Sequence, residues 1–417
     1  MEKYGLLYYK DTDNIGDDIQ SYAASQYLPQ IDYLIDRENI GAFIPKENKK
    51  VKTIMNAWYI HDKFNLTFSP YIKPLLISMH FKNFPYEDGI TVKSDYITKD
   101  TKKFLKENGP VGSRDHNTKE LLDNLKIDSY FSGCLTLTIK KFDNIKKEKY
   151  ICATNISEKE LKILKTKTTL PIKVINQDIE KGSLSNLSWE ERKEKVIELL
   201  KTYQAAEFVV TTKLHCALPC LALETNVLVL YDDKFDDRMK TFKEYFNYVN
   251  RKDFKNVDIS SIKNSNKYVE LRNKLIKKCE NFINKKEDLT IDLNINEYKY
   301  FYNVLYERQN LLKKYISELG AKYKKECKKS SKFYDKNQEL EKIIEKLEQE
   351  KTLDYENHKK AIDLLEKEKE KDYNNHKKVI NSLEKDKEKL SKELNDIYNS
   401  KRWKIVSVLC NIRFRRK

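Results

Sequence analysis

The first apolar run, Tyr4 to Tyr9, is followed by the polar turn KDTDNIGDD and then by a segment from Ile19 to Tyr27 with apolar positions at helical spacing. That order predicts a strand, a loop and a helix. Thr53 to Tyr59 and the edge of Gly109 to Gly112 predict further strands. Asn117 to Leu125 predicts an amphipathic helix starting near Asn117 or Thr118. A second alternation begins at Tyr150, where YICATNI reads as a buried strand. A Glu/Lys-rich helix, the strand PIKVINQ and a helix from Trp189 to Thr202 follow it. Phe208 to Thr211 then predicts a strand, TKLHC a turn, Ala217 to Leu223 a helix and Val227 to Tyr231 another strand. Strands alternating with helices imply right-handed crossovers and parallel sheets, which bind ligands at the carboxyl ends of their strands.

The pattern changes near residue 320. From Ser330 to Asn399 the chain is rich in Lys and Glu and has no Gly or Pro, and DYENHKKAIDLLEKEKEK from Asp354 repeats as DYNNHKKVINSLEKDKEK from Asp372. The period of 18 residues is five helical turns and predicts a nearly straight coiled coil; about 70 residues would extend ~100 Å. Polar residues in its seam leave a single solvated helix as the other reading. The final segment sets Trp403, Ile405, Val406, Leu409 and Phe414 among Lys401, Arg402, Lys404, Arg413 and Arg415, which suits a helix lying on an anionic lipid surface. Packing on a coiled-coil partner is the alternative. The expected organisation is α/β: a Rossmann-like lobe over 1–145, a second over 146–320, a coiled coil over 321–399 and a basic amphipathic tail over 400–417.

Composition narrows the setting. A net charge of +16, from 81 Lys and Arg against 65 Asp and Glu, favours anionic partners. Nucleic acid is not the expected one, because no RNP-like aromatic motif, zinc finger or helix-turn-helix signature accompanies the charge. The seven cysteines are odd in number, show no paired extracellular spacing or CxxC pattern, and predict a reducing cytoplasm. Cys216 and Cys220 share a helical face, which suits a place in the core better than a zinc site. No apolar stretch approaches the ~20 residues of a membrane span, so a protein neither secreted nor membrane-spanning is expected.

Candidate chemistry concentrates in three segments where a strand meets a helix and backbone N–H groups are available to an anion. In Asn14-Ile15-Gly16-Asp17-Asp18, Gly16 admits close backbone approach and Asn14 or Asp17 is placed to cap a helix; a plain turn and cap accounts for the segment equally well. In Gly109-Pro110-Val111-Gly112-Ser113-Arg114-Asp115, two glycines ahead of an Arg-Asp pair suit a turn that aims a guanidinium at a carboxylate or phosphate, with a structural ion pair as the alternative. In Thr211-Thr212-Lys213-Leu214-His215-Cys216, Lys213 and His215 make a positive pocket before a helix, whereas a lone His there would more often be structural.

The order of these motifs, with Thr118, Leu121 and Leu122 after Arg114-Asp115 and a following strand SGCLTLT at Ser132 to Thr138, resembles the polysaccharide pyruvyl transferase family over about residues 3 to 245. The resemblance implies two facing Rossmann-like lobes of the glycosyltransferase-B kind. It also implies transfer of a pyruvyl group from phosphoenolpyruvate to two hydroxyls of one sugar of a cell-surface glycan, with release of phosphate. Carried over by position, Arg114, Lys213 and His215 hold the donor. Two positions depart from the family pattern: Lys213 stands where Arg is usual, and Cys216 where a Gly follows the His. Lys cannot form the planar fork to a carboxylate.

The expected catalytic residues are His215, Arg114 and Asp17; the expected substrate-binding residues are Lys213, Arg238, Asn14, Gly16 and Asp18. No metal and no cofactor beyond phosphoenolpyruvate as donor substrate is expected. The expected partners are a glycan or lipid-linked saccharide acceptor, an anionic membrane surface at the inner face of the plasma membrane through 400–417, and a second copy of the chain through the coiled coil. Two other functions stay open, a nucleotide-sugar glycosyltransferase of the two-lobed type and a non-catalytic scaffold.

Overall fold

The computed structural model describes residues 2–47, 49–59, 67–81, 97–180, 182–232 and 237–291, with scattered helical positions from 303 onward. Met1–Ala321 forms one compact unit and Lys322–Lys417 another. In the second unit only helical residues Ile344 to Gln349, Lys389, Ser391 and Lys392 are described, so the expected coiled coil and the tail over 400–417 lie outside the described residues. Among the described residues no helix is long and apolar enough to cross a membrane.

The first half of the compact unit runs β1 (Lys3–Tyr8), α1 (Ile15–Ser25), β2 (Tyr33–Asp36), β3 (Val51–Ile54), β4 (Trp58–Tyr59), β5 (Ile72–Leu75), β6 (His80–Phe81), α2 (Lys99–Asn108), β7 (Val111–Ser113), α3 (His116–Asn124) and β8 (Ser129–Phe131). Its main sheet is parallel, in the order β2-β1-β3-β5, and two short parallel pairs, β4-β6 and β7-β8, lie beside it. The second half runs β9 (Glu148–Thr154), α4 (Glu158–Lys165), β10 (Ile172–Ile175), α5 (Trp189–Ala205), β11 (Ala206–Thr211), α6 (Leu214–Ala222), β12 (Asn226–Tyr231), α7 (Asp237–Thr241), β13 (Asn247–Asn250) and α8 (Tyr268–Asn284). Its sheet is also parallel, in the order β10-β9-β11-β12-β13. The central strands are covered on both faces, which is why they read as unbroken apolar runs rather than as alternations. In each sheet the chain leaves the founding strand to opposite sides, β2 and β3 flanking β1, and β10 and β11 flanking β9. The carboxyl ends of β1 and β9 are therefore topological switch points.

Four expectations change in the first half. Helix α1 starts at Ile15 instead of Ile19, because the Asn14 side chain accepts the Gly16 N–H at 2.8 Å and supplies the cap. Helix α3 is capped by Asp115, which accepts the Thr118 N–H at 2.9 Å, and not by Asn117 or Thr118. The strand expected over Thr53 to Tyr59 breaks at Met55 to Ala57, where the Asn56 side chain turns to donate to the Gln20 carbonyl at 2.8 Å. Ser132 to Thr138 is no strand: Gly133 has a φ of 73° and Leu135–Thr138 is a 3-10 turn whose Thr138 hydroxyl donates to the Leu135 carbonyl at 2.8 Å. Local hydroxyl bonds there take the place of a ladder.

The largest apolar cluster is continuous between the two sheets, from Leu6, Ile15 and Ile19 through Leu135 and Leu137 to Val196, Val209 and Leu218. Helix α1 lies within it, packed against α5 and α6. One ion pair crosses the cluster. Arg192 of α5 donates to both oxygens of Asp18, at 2.6 and 3.0 Å, and to the carbonyl of Tyr9 at 2.7 Å, and neither side chain is more than 1% exposed. Burial pushes the Asp18 carboxyl up to about 6 despite the pull of Arg192. The folded carboxyl thus holds its proton more tightly than an unfolded one at 3.8, so protonation of Asp18 favours the folded state as pH falls through 6. Asp18→Ala leaves the guanidinium buried without its carboxylate and is expected to cost about 3–5 kcal/mol, read as a lower denaturant midpoint with unchanged slope. An unchanged midpoint would show that α1 is held without the pair.

Candidate active site

Strand β11 ends at Thr211, whose hydroxyl accepts the Lys213 N–H at 3.0 Å, and α6 begins at once with Leu214. The helix thus starts three residues before the expected Ala217, and His215 sits in its first turn with φ −81° and ψ 17°. Four residues on is Pro219, which has no N–H for the carbonyl of His215 and whose ring crowds that carbonyl. The missing donor comes from another element: Gln177 Nε2 donates to the His215 carbonyl at 3.2 Å. Gln177 is 1% exposed, and its own carbonyl accepts the first N–H of α1, from Ile15, at 3.0 Å. One residue, two positions past the end of β10, therefore ties the amino ends of α1 and α6 together.

The junction is tight because Gly16 has no side chain. A Cβ there would lie 3.2 Å from His215 Cβ, 3.3 Å from His215 Nδ1 and 2.9 Å from Asn14 Oδ1. His215 Nε2 lies 3.9 Å from Cys134 Sγ, so the turn after β8 also reaches this histidine. Lys213 Nζ pairs with Asp178 at 2.7 and 2.9 Å, and Asn155 Nδ2 donates to the same carboxylate at 3.0 Å.

The residue after Gly16 in α1 opens a second polar group. Asp17 accepts from the Thr12 hydroxyl at 2.7 Å and from Gln20 Nε2 at 3.1 Å, and Arg37 Nη1 lies 3.6 Å from it. Gln20 Oε1 accepts from Arg114 Nη1 at 2.7 Å, so the Arg-Asp motif reaches α1 through an amide. Arg114 itself is 1% exposed. Its neighbour Asp115 caps α3 and binds His80 Nδ1. Burial acts to raise the Asp115 carboxyl, but His80, Arg114 and the Thr118 N–H hold it well below the usual carboxylate range.

The structure brings Asn14, Gly16 and His215 to one place, with Lys213 beside them on Asp178, and joins Asp17 and Arg114 to each other through Gln20. Asp18 is fully buried on Arg192. Arg238 belongs to α7, and its side chain lies outside the described residues. Sequence reading missed Gln177, Gln20, Asp178, Arg37 and Cys134. The available signals were a polar residue on the inward face of α1 three positions after Asp17, and a Pro four residues after a His at a helix start.

A family model of the polysaccharide pyruvyl transferases matches residues 14–234. The chain belongs to the polysaccharide pyruvyl transferase family. It is a transferase, and the matched span opens on Asn14 and includes both helix starts and the Arg114-Asp115 segment. No curated protein is significantly similar to the chain. Among solved structures it is similar to a functionally uncharacterized protein from Klebsiella pneumoniae, 12% identical, covering 60% of this chain and 93% of that one with a TM-score of 0.35. In this transferase, Gln177→Leu strands the His215 carbonyl and is expected to cost about 1–3 kcal/mol of stability together with most of the turnover. A melting curve and a rate matching those of the wild type would show that His215 is held by other means.

Proposed function

We propose that this transferase moves a pyruvyl group from phosphoenolpyruvate to two hydroxyls of one sugar of a cell-surface polysaccharide, between two Rossmann-like lobes built on its two sheets. The observation that carries the proposal is the close approach of His215, in the first turn of α6 beside Lys213, to Gly16, in the first turn of α1 beside Asp17. A helix amino end with a cation beside it suits the phosphate and carboxylate of the donor.

Ketal formation needs four events. The methylene carbon of phosphoenolpyruvate takes a proton, one hydroxyl oxygen bonds to the cation-like C2, the C2–O bond to phosphate breaks, and the second hydroxyl oxygen bonds to the same carbon. Of the two hydroxyl protons, one is balanced by that on the new methyl group and the other leaves with phosphate. His215 serves as the acid or the phosphate contact, and Lys213 supplies positive charge to the donor. Asp17 accepts a hydroxyl proton; Asp18 is less suited, since Arg192 occupies both its oxygens. Arg114 acts from behind Gln20 as buried charge.

His215→Ala is expected to abolish phosphate release from phosphoenolpyruvate in the presence of glycan acceptors while the melting temperature holds. Lys213→Arg is expected to keep or improve donor binding, because the fork matches carboxylate and phosphate. Full activity of His215→Ala, or loss of donor binding in Lys213→Arg, would remove that residue from the donor site.

The basic, aromatic sequence of residues 400–417 supports a peripheral location on anionic lipid at the cytoplasmic face. Chain ending at Asn399 is expected to lose salt-sensitive co-sedimentation with anionic vesicles and to keep its turnover on a soluble acceptor. Equal sedimentation of both chains would rule out the anchor.

A further inference from the structure

A small cleft opens where β1, β2 and β3 end side by side, lined by Tyr8, Tyr9, Asp17, Gln20, Arg37 and Asn56 among others. Each lies at or just past a strand's carboxyl end or on the inward face of α1, and β1 is the switch point of the sheet. Two of these side chains are buried and incompletely satisfied. Arg37 is 4% exposed; Nε binds Glu38 at 2.8 Å, Nη1 faces Asp17, and its guanidinium lies 4.0 Å from the Tyr9 ring centroid. Its Nη2 has no hydrogen-bond partner among the described residues. Asn56 is 5% exposed and spends Nδ2 on the Gln20 carbonyl at 2.8 Å, which fixes the amide orientation, and its Oδ1 likewise has no partner.

A buried donor and a buried acceptor without partners, on two residues that line one cleft, cost free energy unless a bound group satisfies them. A hydroxyl does so, because it accepts from Nη2 and donates to Oδ1. A phosphate or carboxylate does not, because Asn56 Oδ1 and the Asp17 carboxylate would repel it. The cleft admits about one water-sized group, again the size of a hydroxyl and not of a phosphate.

We propose that Arg37 and Asn56 form a hydroxyl-recognition subsite for the acceptor sugar, positioning a hexose beside Asp17. This rests on the pyruvyl-transfer reading above and adds to it the class of group that the first sheet recognises. Arg37 and Asn56 are positioning residues: the hydroxyl they hold orients the ring, and Asp17 takes the proton from the hydroxyl that attacks.

The test uses the full chain and methyl hexopyranosides of gluco, galacto and manno configuration, observed by saturation-transfer NMR, with melting shifts for phosphoenolpyruvate and inorganic phosphate measured in parallel. Saturation of at least one hexoside is expected with the wild type. It should weaken about tenfold in both Asn56→Leu and Arg37→Lys, the loss of roughly one hydrogen bond, while the phosphoenolpyruvate shift is retained. Arg37→Lys keeps the charge next to Asp17 and carries the test if Asn56→Leu does not fold. Hexoside signals absent from the wild type, or equal in all three proteins, would overturn the subsite and leave the cleft to a structural water. Loss of the inorganic phosphate shift in the variants would overturn it in favour of an anion site. Hexoside binding that depends on Asn56 without any phosphoenolpyruvate shift in the wild type would uphold the subsite and sink the donor assignment.

Discussion

Pro219 has no N–H to offer the carbonyl of His215, so that carbonyl must find its donor outside its own helix. Gln177 supplies it, and the same residue accepts the first N–H of α1 through its backbone. Two helices from different sheets are thereby locked amino end to amino end, and Gly16 lets their backbones close without a side chain between them. The rest of the site follows from that constraint. His215 faces Cys134, Lys213 faces Asp178, and Asp17, the residue after Gly16, is carried toward the ends of β1, β2 and β3.

Helix α1 combines the duties of core and site by dividing its residues. Ile15, Ile19, Ala23 and Ala24 enter the apolar cluster, Asp18 enters it only because Arg192 meets both its oxygens, and Asp17 and Gln20 face the cleft. Replacing one partner of such a pair costs far more than the pair itself contributes, because the desolvated charge left behind cannot be hydrated. The Asp115 and His80 pair does similar work at α3, and it leaves Arg114 as the member of its motif that reaches across to α1. In the GSRDxxT segment, then, Asp115 and Thr118 are committed to local structure, Thr118 through the Phe81 N–H at 3.1 Å, and Arg114 to Gln20 of α1.

The family assignment and this division explain why adjacent acidic residues differ in chemical availability. Asp17 keeps part of its carboxylate toward the cleft, with a side-chain exposure of 14%, while Asp18 has none. Neighbouring positions on a helix point about 100° apart, so one of the two must turn into the core when the other faces out.

Apolar runs such as FVVT and YICATNI, and the polar turns between them, were enough to predict parallel βαβ units and to put Asn14, Gly16, Arg114, Lys213 and His215 at strand ends. That much is local, because the period of burial and the turn chemistry are written in neighbouring residues. Helix starts were placed less well: Asn14 is a candidate cap but apolar spacing puts the helix four residues later, Asp115 caps α3 through a side-chain bond that spacing does not register, and the hydroxyls of the SGCLTLT segment fold it into a turn where the family resemblance implies a strand. Only the tertiary structure decided that Gln177 meets His215, that Asp18 belongs to Arg192, and that Arg37 and Asn56 share a cleft. Those contacts join residues 38, 174 and 19 positions apart, and a hydrogen bond or ion pair between distant residues depends on where separate elements pack, which no local pattern encodes.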